Sequence, residues 1–285
     1  MRSFLFVPGD SDRKFQKAMP CGADALILDI EDSVASDSKP MAREATRAML
    51  STDRGDVKLY VRVNAFDSGM TLDDLAAVMP MRPDGIVLPK SSGGDDIRKL
   101  SDYLDAFEAA AGTPKGVTRI IAVATETAES LFGLGTYKDA SPRLWGMMWG
   151  AEDLAASFGA TNNRNNGVYS EPFRLARNLC LAGAAAAGVV AIDTVCTDIS
   201  DVSTVTEESA AARRDGFGAK AVIHPNHIAP VNMAFTPSEE DIAWAERIVA
   251  AFASDPSAGV VKIDGKMIDK PHERQARKIL GMAQA

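Results

Sequence analysis

The sequence predicts a (β/α)8 barrel carrying a C-terminal helical extension. Three observations predict it: eight short apolar runs recur along the chain, longer helical patterns separate them, and charged residues fall just after nearly every run. The runs are apolar almost throughout rather than alternating, as parallel strands buried on both faces should be. An open doubly wound sheet of similar size would usually carry a glycine-rich loop after its first strand. Only Pro8-Gly9 stands there, which favours the barrel.

The first run is Ser3 to Val7, followed by a helical stretch over Asp10 to Met19. Ala25 to Leu28 is the second, with a helical pattern over Lys39 to Leu50 behind it. Val57 to Val63 and Gly85 to Leu88 are the third and fourth, and Asp95 to Ala111 reads as the helix after them. Arg119 to Val123 and Leu144 to Trp149 are the fifth and sixth. A helix over Arg174 to Ala187 leads to the seventh, Val189 to Val195, and Ala219 to Ile223 is the eighth. The pattern then changes. Pro237-Ser238-Glu239-Glu240 reads as a helix start, with Ser238 as cap and acids in the first turn, running to about Ser254. Asp255 to Gly259 breaks the chain, Val260 to Ile263 is strand-like, and Lys270 to Met282 is helical. The barrel is expected over 1–235 and the extension over 236–285.

Composition narrows the function classes. The chain has 285 residues, 46% hydrophobic and 25% charged, the balance of an ordinary globular protein. A net charge of −8 argues against a nucleic-acid surface, although an anionic ligand remains open wherever positive residues gather. Cys21, Cys180 and Cys196 form no CxxC pair, which fits a reducing compartment and gives no zinc spacing. A run of only four apolar residues, Phe4 to Val7, precedes Pro8, so no signal-peptide core is read, and the most apolar run, Leu179 to Ile192, is too short to span a bilayer. A cytoplasmic protein with no membrane and no nucleic-acid partner is expected.

In barrels of this kind chemistry collects at the C-terminal ends of the strands. There stand Asp29, Glu31 and Asp32 after the second run, Arg62 at the third, Lys90 after the fourth, Glu126 after the fifth, Glu152 and Asp153 after the sixth, Asp193 within the seventh and His224 after the eighth. Any one of these carboxylates could simply cap the next helix. Together they would repel one another unless a cation neutralises them. No His/Cys ligand set is present, so the natural candidate is Mg2+, which takes one or two protein carboxylates, waters and substrate oxygens. Glu126 and Asp153, on neighbouring strands, are the best-placed pair. Arg62 would face them, suited to a substrate carboxylate or a developing oxyanion.

The segments SFLFVPGD, ADALILDIEDSV with a downstream KPMAR, YVRVNA, GIVLPK, ATETA, GMMWGAEDL, AVIHPNHIAPVNMAFTPS and DGKMIDKP occur in this order. In them the chain resembles the citrate lyase β-subunit and malyl-CoA lyase family of carbon–carbon lyases, over nearly its whole length. The resemblance implies a TIM barrel that binds Mg2+ and a 2-oxo acid, with a CoA-type thioester as second partner. It places the metal ligands at Glu126 and Asp153 and the substrate-binding residues at Arg62 and Glu126. Glu31 and Asp32 match an acidic pair beside the metal that would hold metal-bound waters. Asp269 of DGKMIDKP matches a general acid/base donated by an adjacent subunit, which implies a homo-oligomer, a trimer or hexamer, with the extension docked on a neighbour. From residues alone Asp269 also reads as a cap before Lys270-Pro271. The two roles are compatible.

The implied reaction is Mg2+-dependent cleavage of a malyl-, methylmalyl-, citramalyl- or citryl-type thioester to a 2-oxo acid and an acetyl- or propionyl-thioester. Two other readings share the motifs: a citrate lyase β-subunit acting on an acyl-carrier-protein thioester, and a thioesterase on the same scaffold. No motif sets which oxo acid is used. Arg13 and Lys14, with Lys17, could contact CoA phosphates or form a solvated helix face. The same two readings apply to the stretch from Val261 on, which carries six Lys/Arg against three Asp/Glu. His224 and His227 read as structural, Lys90 as an ion-pairing lysine, and Trp145 and Trp149 as packing. The loop Thr161 to Gly167 reads as a polar lid or a plain surface loop.

Overall fold

The computed structural model describes residues 1–283. In chain order the strands are β1 (Ser3–Pro8), β2 (Ala25–Asp29), β3 (Lys58–Arg62), β4 (Gly85–Leu88), β5 (Arg119–Val123), β6 (Leu144–Met148), β7 (Arg164–Asn165), β8 (Val168–Tyr169), β9 (Val190–Asp193), β10 (Ala219–Val222), β11 (Val260–Ile263) and β12 (Lys266–Asp269). The helices are α1 (Asp12–Ala18), α2 (Lys39–Leu50), α3 (Thr71–Val78), α4 (Gly94–Ala110), α5 (Ser130–Gly133), α6 (Glu152–Phe158), α7 (Glu171–Ala187), α8 (Val202–Asp215), α9 (Ile228–Phe235), α10 (Glu239–Ser254) and α11 (Lys270–Ala283). Two compact units result, one spanning Met1–Asn232 and the other running from Met233 on.

In the first unit β1 to β6, β9 and β10 close into an eight-stranded parallel barrel, with β1 paired to both β2 and β10. Side chains alternate between barrel interior and helix layer. Phe4, Ile27, Tyr60, Val87, Ile121 and Ile192 pack in one interior cluster, each 1% exposed or less. Their alternates, such as Leu26, Leu59, Val61 and Ile86, are equally buried. Full burial of side chains this size contributes about 1.5–3 kcal/mol each, before chain entropy is charged against it.

The expected strands all form, with ends trimmed where pairing stops. The seventh run is shorter than expected, because β9 finds partners only from Val190 to Asp193. Asp193 itself departs from the strand-end pattern. Its carboxylate accepts from Trp149 Nε1 at 2.7 Å and from Lys220 Nζ at 2.8 Å, and Arg177 lies 3.3 Å away. It is the centre of a buried ion network rather than part of the barrel-mouth cluster. The loop at 161–167 turns out to hold a small hairpin, β7–β8, whose connecting Asn166 and Gly167 both have positive φ. Asn-Gly suits the tight primed turn that a two-residue hairpin needs.

Two loops above the barrel are locked together. The Gly94 N–H donates to Thr136 Oγ1 at 2.8 Å, and the Tyr137 hydroxyl donates to Ser91. A Cβ on Gly133 would overlap the Ser92 carbonyl, and one on Gly94 would overlap the Thr136 carbonyl. The segment after β4 and the segment following β5 therefore sit backbone to backbone.

The second unit folds around its own small core of Ala245, Ile248, Phe252, Ile263, Ile268 and Ala276. Ser238 and Asp241 make the reciprocal capping box at the start of α10. Asp264 and Gly265, both at positive φ, turn β11 into β12, a strand that composition alone did not reveal.

Candidate active site

The C-terminal ends of the barrel strands open into a cavity of about 690 Å3. Its charged wall follows from strand register. Asp29 and Arg62 end β2 and β3 as paired neighbours, so their side chains emerge at one level. Arg62 donates from Nε and from a terminal nitrogen to the two Asp29 oxygens, both at 2.8 Å, a bidentate clamp. It also ion-pairs with Glu31 at 2.9 Å and more loosely with Asp32 at 3.7 Å. Burial disfavours ionising Asp29, but the Arg62 clamp overrides it and holds that carboxyl below the ordinary aspartate range. Burial likewise works against the Arg62 charge, and Asp29 and Glu31 outweigh it, so the guanidinium stays protonated.

Glu126 lies three residues past β5 and is 3% exposed. Burial, reinforced by the charges of Asp153 and Glu31, pushes its carboxyl up to about 8. Asp153 opens α6 after β6, where the helix N-terminus favours negative charge. Two cross-links hold the ends of β5 and β6 in step: Gly150 N–H donates to Thr125 Oγ1 at 3.0 Å, and Ala128 N–H to Ser157 Oγ at 2.9 Å. Gly150 itself is constrained, since a Cβ there would stand 2.7 Å from Glu126 Cγ.

Lys90 joins the two halves of the acidic wall. Its backbone has φ 51°, uncommon outside glycine, and its N–H donates to Glu126 Oε2 at 2.5 Å. The ammonium contacts Glu31 directly and lies 3.7 Å from Asp32 and 3.6 Å from Asp153. Burial would lower its pKa, but these carboxylates raise it, so the side chain is an ion-pairing lysine and no candidate for Schiff-base chemistry.

The structure therefore brings Glu31, Asp32, Arg62, Glu126 and Asp153 together. Lys14 lines the cavity and Arg13 does not. Helical geometry explains the split: Lys14 and Lys17, three apart on α1, share the cavity face, while Arg13 is rotated off it. Asp269 ends β12 in the second unit, where its Oδ1 lies 2.5 Å from His272 Nδ1. That contact, more than any other, holds the Asp269 carboxyl below its usual range. His227 is fully buried, and His224 lines the cavity with Nδ1 accepting the Asn226 N–H at 3.3 Å.

Three contributions at this site were not read from the sequence. Asp29 was legible only as one of four successive strand-end residues, not as the arginine's clamp. Trp149 lines the cavity as well as packing. Glu152, beside Asp153, accepts from Asn163 Nδ2 at 2.8 Å and so ties the hairpin segment to the site. The repeated Asn in that loop was the only signal.

Among the described residues no three His, Cys, Asp or Glu side chains converge as an all-protein metal cage. Two neighbouring carboxylates, one deeply buried and both facing a roomy cavity, instead match the habit of Mg2+, which keeps waters and borrows substrate oxygens.

The chain is similar to known proteins over nearly its whole length. Residues 2–225 match the profile of the HpcH/HpaI aldolase/citrate lyase family. A citrate lyase subunit beta-like protein of Mycobacterium tuberculosis is 34% identical over 281 residues, covering 98% of this chain and 94% of its own. A mitochondrial citramalyl-CoA lyase of Rattus norvegicus is 33% identical over 299 residues, covering 99% and 86%. The crystal structure of CitE from Mycobacterium tuberculosis with magnesium, acetoacetate and coenzyme A superposes with a TM-score of 0.78 at 33% identity, covering 100% of this chain and 98% of that one.

Proposed function

Since the chain belongs to the HpcH/HpaI aldolase/citrate lyase family, whose members include lyases of CoA thioesters, we propose that it is a Mg2+-dependent carbon–carbon lyase. Its substrate would be a 3-hydroxyacyl thioester of the malyl, citramalyl or citryl type. The products are a 2-oxo acid and an acetyl- or propionyl-thioester, and condensation is the reverse. The observation that carries this reading is the shared cavity. Glu126 and Asp153 stand on one wall and the clamped Arg62 guanidinium opens into the same space.

Cleavage removes the hydroxyl proton, breaks the C–C bond to the thioester α-carbon, and leaves an enolate that must be protonated. Mg2+ bound at Glu126 and Asp153 supplies Lewis-acid stabilisation of the oxygen that becomes the oxo group. Arg62 keeps N–H groups beyond those used on Asp29 and directs them at the substrate's carboxylate or oxyanion. One preorganised donor of this kind is worth about 3–4 kcal/mol. Asp29 holds the guanidinium plane, so its orientation does not have to be fixed at the moment of reaction. Lys14 and Lys17 at the rim meet the phosphates of a CoA-type thioester. Asp269, donated by an adjacent subunit, takes the methyl proton in condensation; in cleavage it would take up the proton lost by the hydroxyl and return it to the enolate carbon. His272 beside it keeps the carboxylate ionised, the form needed for proton removal. The protein on this reading works as a homo-oligomer.

The test is condensation of acetyl-CoA or propionyl-CoA with glyoxylate, pyruvate or oxaloacetate, followed by mass spectrometry. A hydroxyacyl-CoA that forms with Mg2+, disappears with EDTA and is lost in Asp269→Asn is the expected result. Free CoA with a hydroxy acid would make the protein a thioesterase. No product from any pair would sink the CoA-lyase reading.

A further inference from the structure

A buried lysine behind the barrel mouth has no part in the chemistry derived above. Lys39 opens α2 and is 6% exposed. Its ammonium donates to the Ile30 carbonyl at 2.7 Å and to the Glu31 carbonyl at 2.6 Å. Both partners are backbone oxygens, not carboxylates. A cation on the first residue of a helix works against the helix dipole, and an ammonium buried without an opposite charge is costly. The stability of α2 therefore does not account for this lysine. Sequences break such local rules at functional sites.

What the ammonium holds is the backbone of Glu31. The peptide group between Ile30 and Glu31 is gripped at both ends, its oxygen by Lys39 and its N–H by Asp29 Oδ1 at 2.9 Å. The peptide group after Glu31 is held at its oxygen by the same ammonium. Other donors to these two oxygens are longer: Asn64 Nδ2 at 3.4 Å on Ile30 and the Val34 N–H at 3.1 Å on Glu31. With both flanking peptides fixed, the direction in which the Glu31 side chain leaves the backbone is fixed too. Its carboxylate is where two cations meet, Arg62 at 2.9 Å and the Lys90 ammonium in direct contact. Lys90 in turn donates its backbone N–H to Glu126. Glu31 thus links the guanidinium on one wall to the buried carboxylate on the other, and Lys39 sits behind that link.

We propose that Lys39 is a positioning residue for the reaction proposed above. Its ammonium sets Glu31, and through Glu31 the angle of Arg62 and the place of Lys90. Without it two carbonyls lose their shortest donor and the segment 29–34 loosens. Arg62 then keeps its clamp on Asp29 but loses a fixed second anion.

The test compares full-length Lys39→Met, which removes the charge and keeps most of the length, with the parent by hydrogen–deuterium exchange and by steady-state condensation kinetics. Amides of 29–34 should exchange at least about tenfold faster in the variant, while those of β5 and β6 keep the parent's rate. The kcat should fall about 10–100-fold, with the KM of the thioester within about twofold of the parent, because Lys14 and Lys17 are untouched. Glu31→Gln and the double variant complete a cycle. The double variant should be little slower than the worse single one, since both act through one carboxylate. Losses that multiply, or 29–34 amides that exchange as in the parent, overturn the proposal. So does exchange that rises throughout the barrel, which would make Lys39 a core residue and nothing more. If Lys39→Met does not fold, Lys39→Gln, whose shorter amide reaches one carbonyl, is held to the same criteria. A parent that makes no product sinks the lyase reading alone; exchange at 29–34 still decides whether Lys39 sets Glu31.

Discussion

Gly150 has no side chain because the Glu126 carboxylate stem occupies the place where one would go. Gly150→Ala should therefore displace a proposed metal ligand without touching the core. Mg2+ affinity, measured by calorimetry, should weaken about 10–100-fold, the usual effect of disturbing a ligand's support, while Tm changes little. Arg62→Lys probes the opposite wall. An ammonium cannot reproduce the bidentate grip on Asp29, so kcat/KM should fall about 10²–10³-fold even though the charge is kept. Activity within a few-fold of the parent would show that charge alone suffices and that the clamp is incidental.

At the level of elements, one ion cluster joins α4 to the bases of β5 and β6. Arg143 donates to both Glu108 oxygens at 2.8 and 2.6 Å and to the Thr118 carbonyl, while the N–H groups of Gly116 and Thr118 donate to Glu108. Burial opposes the Glu108 charge, but these donors outweigh it and hold the carboxyl down at about 2. A depressed carboxylate stabilises the fold above its unfolded pKa, near 4.5, and that stability is lost as pH falls toward 2. The ceiling is roughly 3 kcal/mol. Glu108→Gln should flatten the loss of stability between pH 4.5 and 2, read by urea denaturation at several pH values. Arg143→Met leaves the buried carboxylate without its ion-pair partner, and should cost about 3–5 kcal/mol at pH 7. Neither substitution lies near the cavity, and this pairing was not legible in the sequence. Long-range ion pairs have no period. The barrel strands carried a local signal instead: apolar runs of four to six residues identify strands buried on both faces whatever their partners. The same logic located Glu126, Asp153 and Arg62, because strand ends are fixed once strands are. Which neighbour each residue grips, Asp29 for Arg62 or Glu126 for the Lys90 backbone, depends on register and side-chain reach across strands, and the sequence carries neither. Two short hairpins were missed although Asn166-Gly167 and Asp264-Gly265 are strong turn signals, because strands of two to four residues leave too little alternation to read.

At the scale of the whole molecule, the proposed acid/base and the proposed metal ligands belong to different compact units. If Asp269 serves a neighbour's barrel, two inactive variants should complement each other. Arg62→Ala and Asp269→Asn, each silent alone, should regain measurable condensation activity after mixing under conditions that let subunits exchange. Failure to regain it, with exchange verified by native mass spectrometry, would return Asp269 to its own barrel or to a capping role.

The glycine seam between the segments after β4 and β5 bears on how such a protein can diverge. Because Gly94 and Gly133 admit no methyl group, and Lys90 and Glu126 are bonded across the same junction, neither segment can drift alone. They pack as one unit. A chimera built from two relatives should tolerate a crossover within the helix before β5 poorly and one outside the pair well. Directed evolution of this barrel will find its freedom in loops that neither belong to this pair nor carry the charged wall of the cavity.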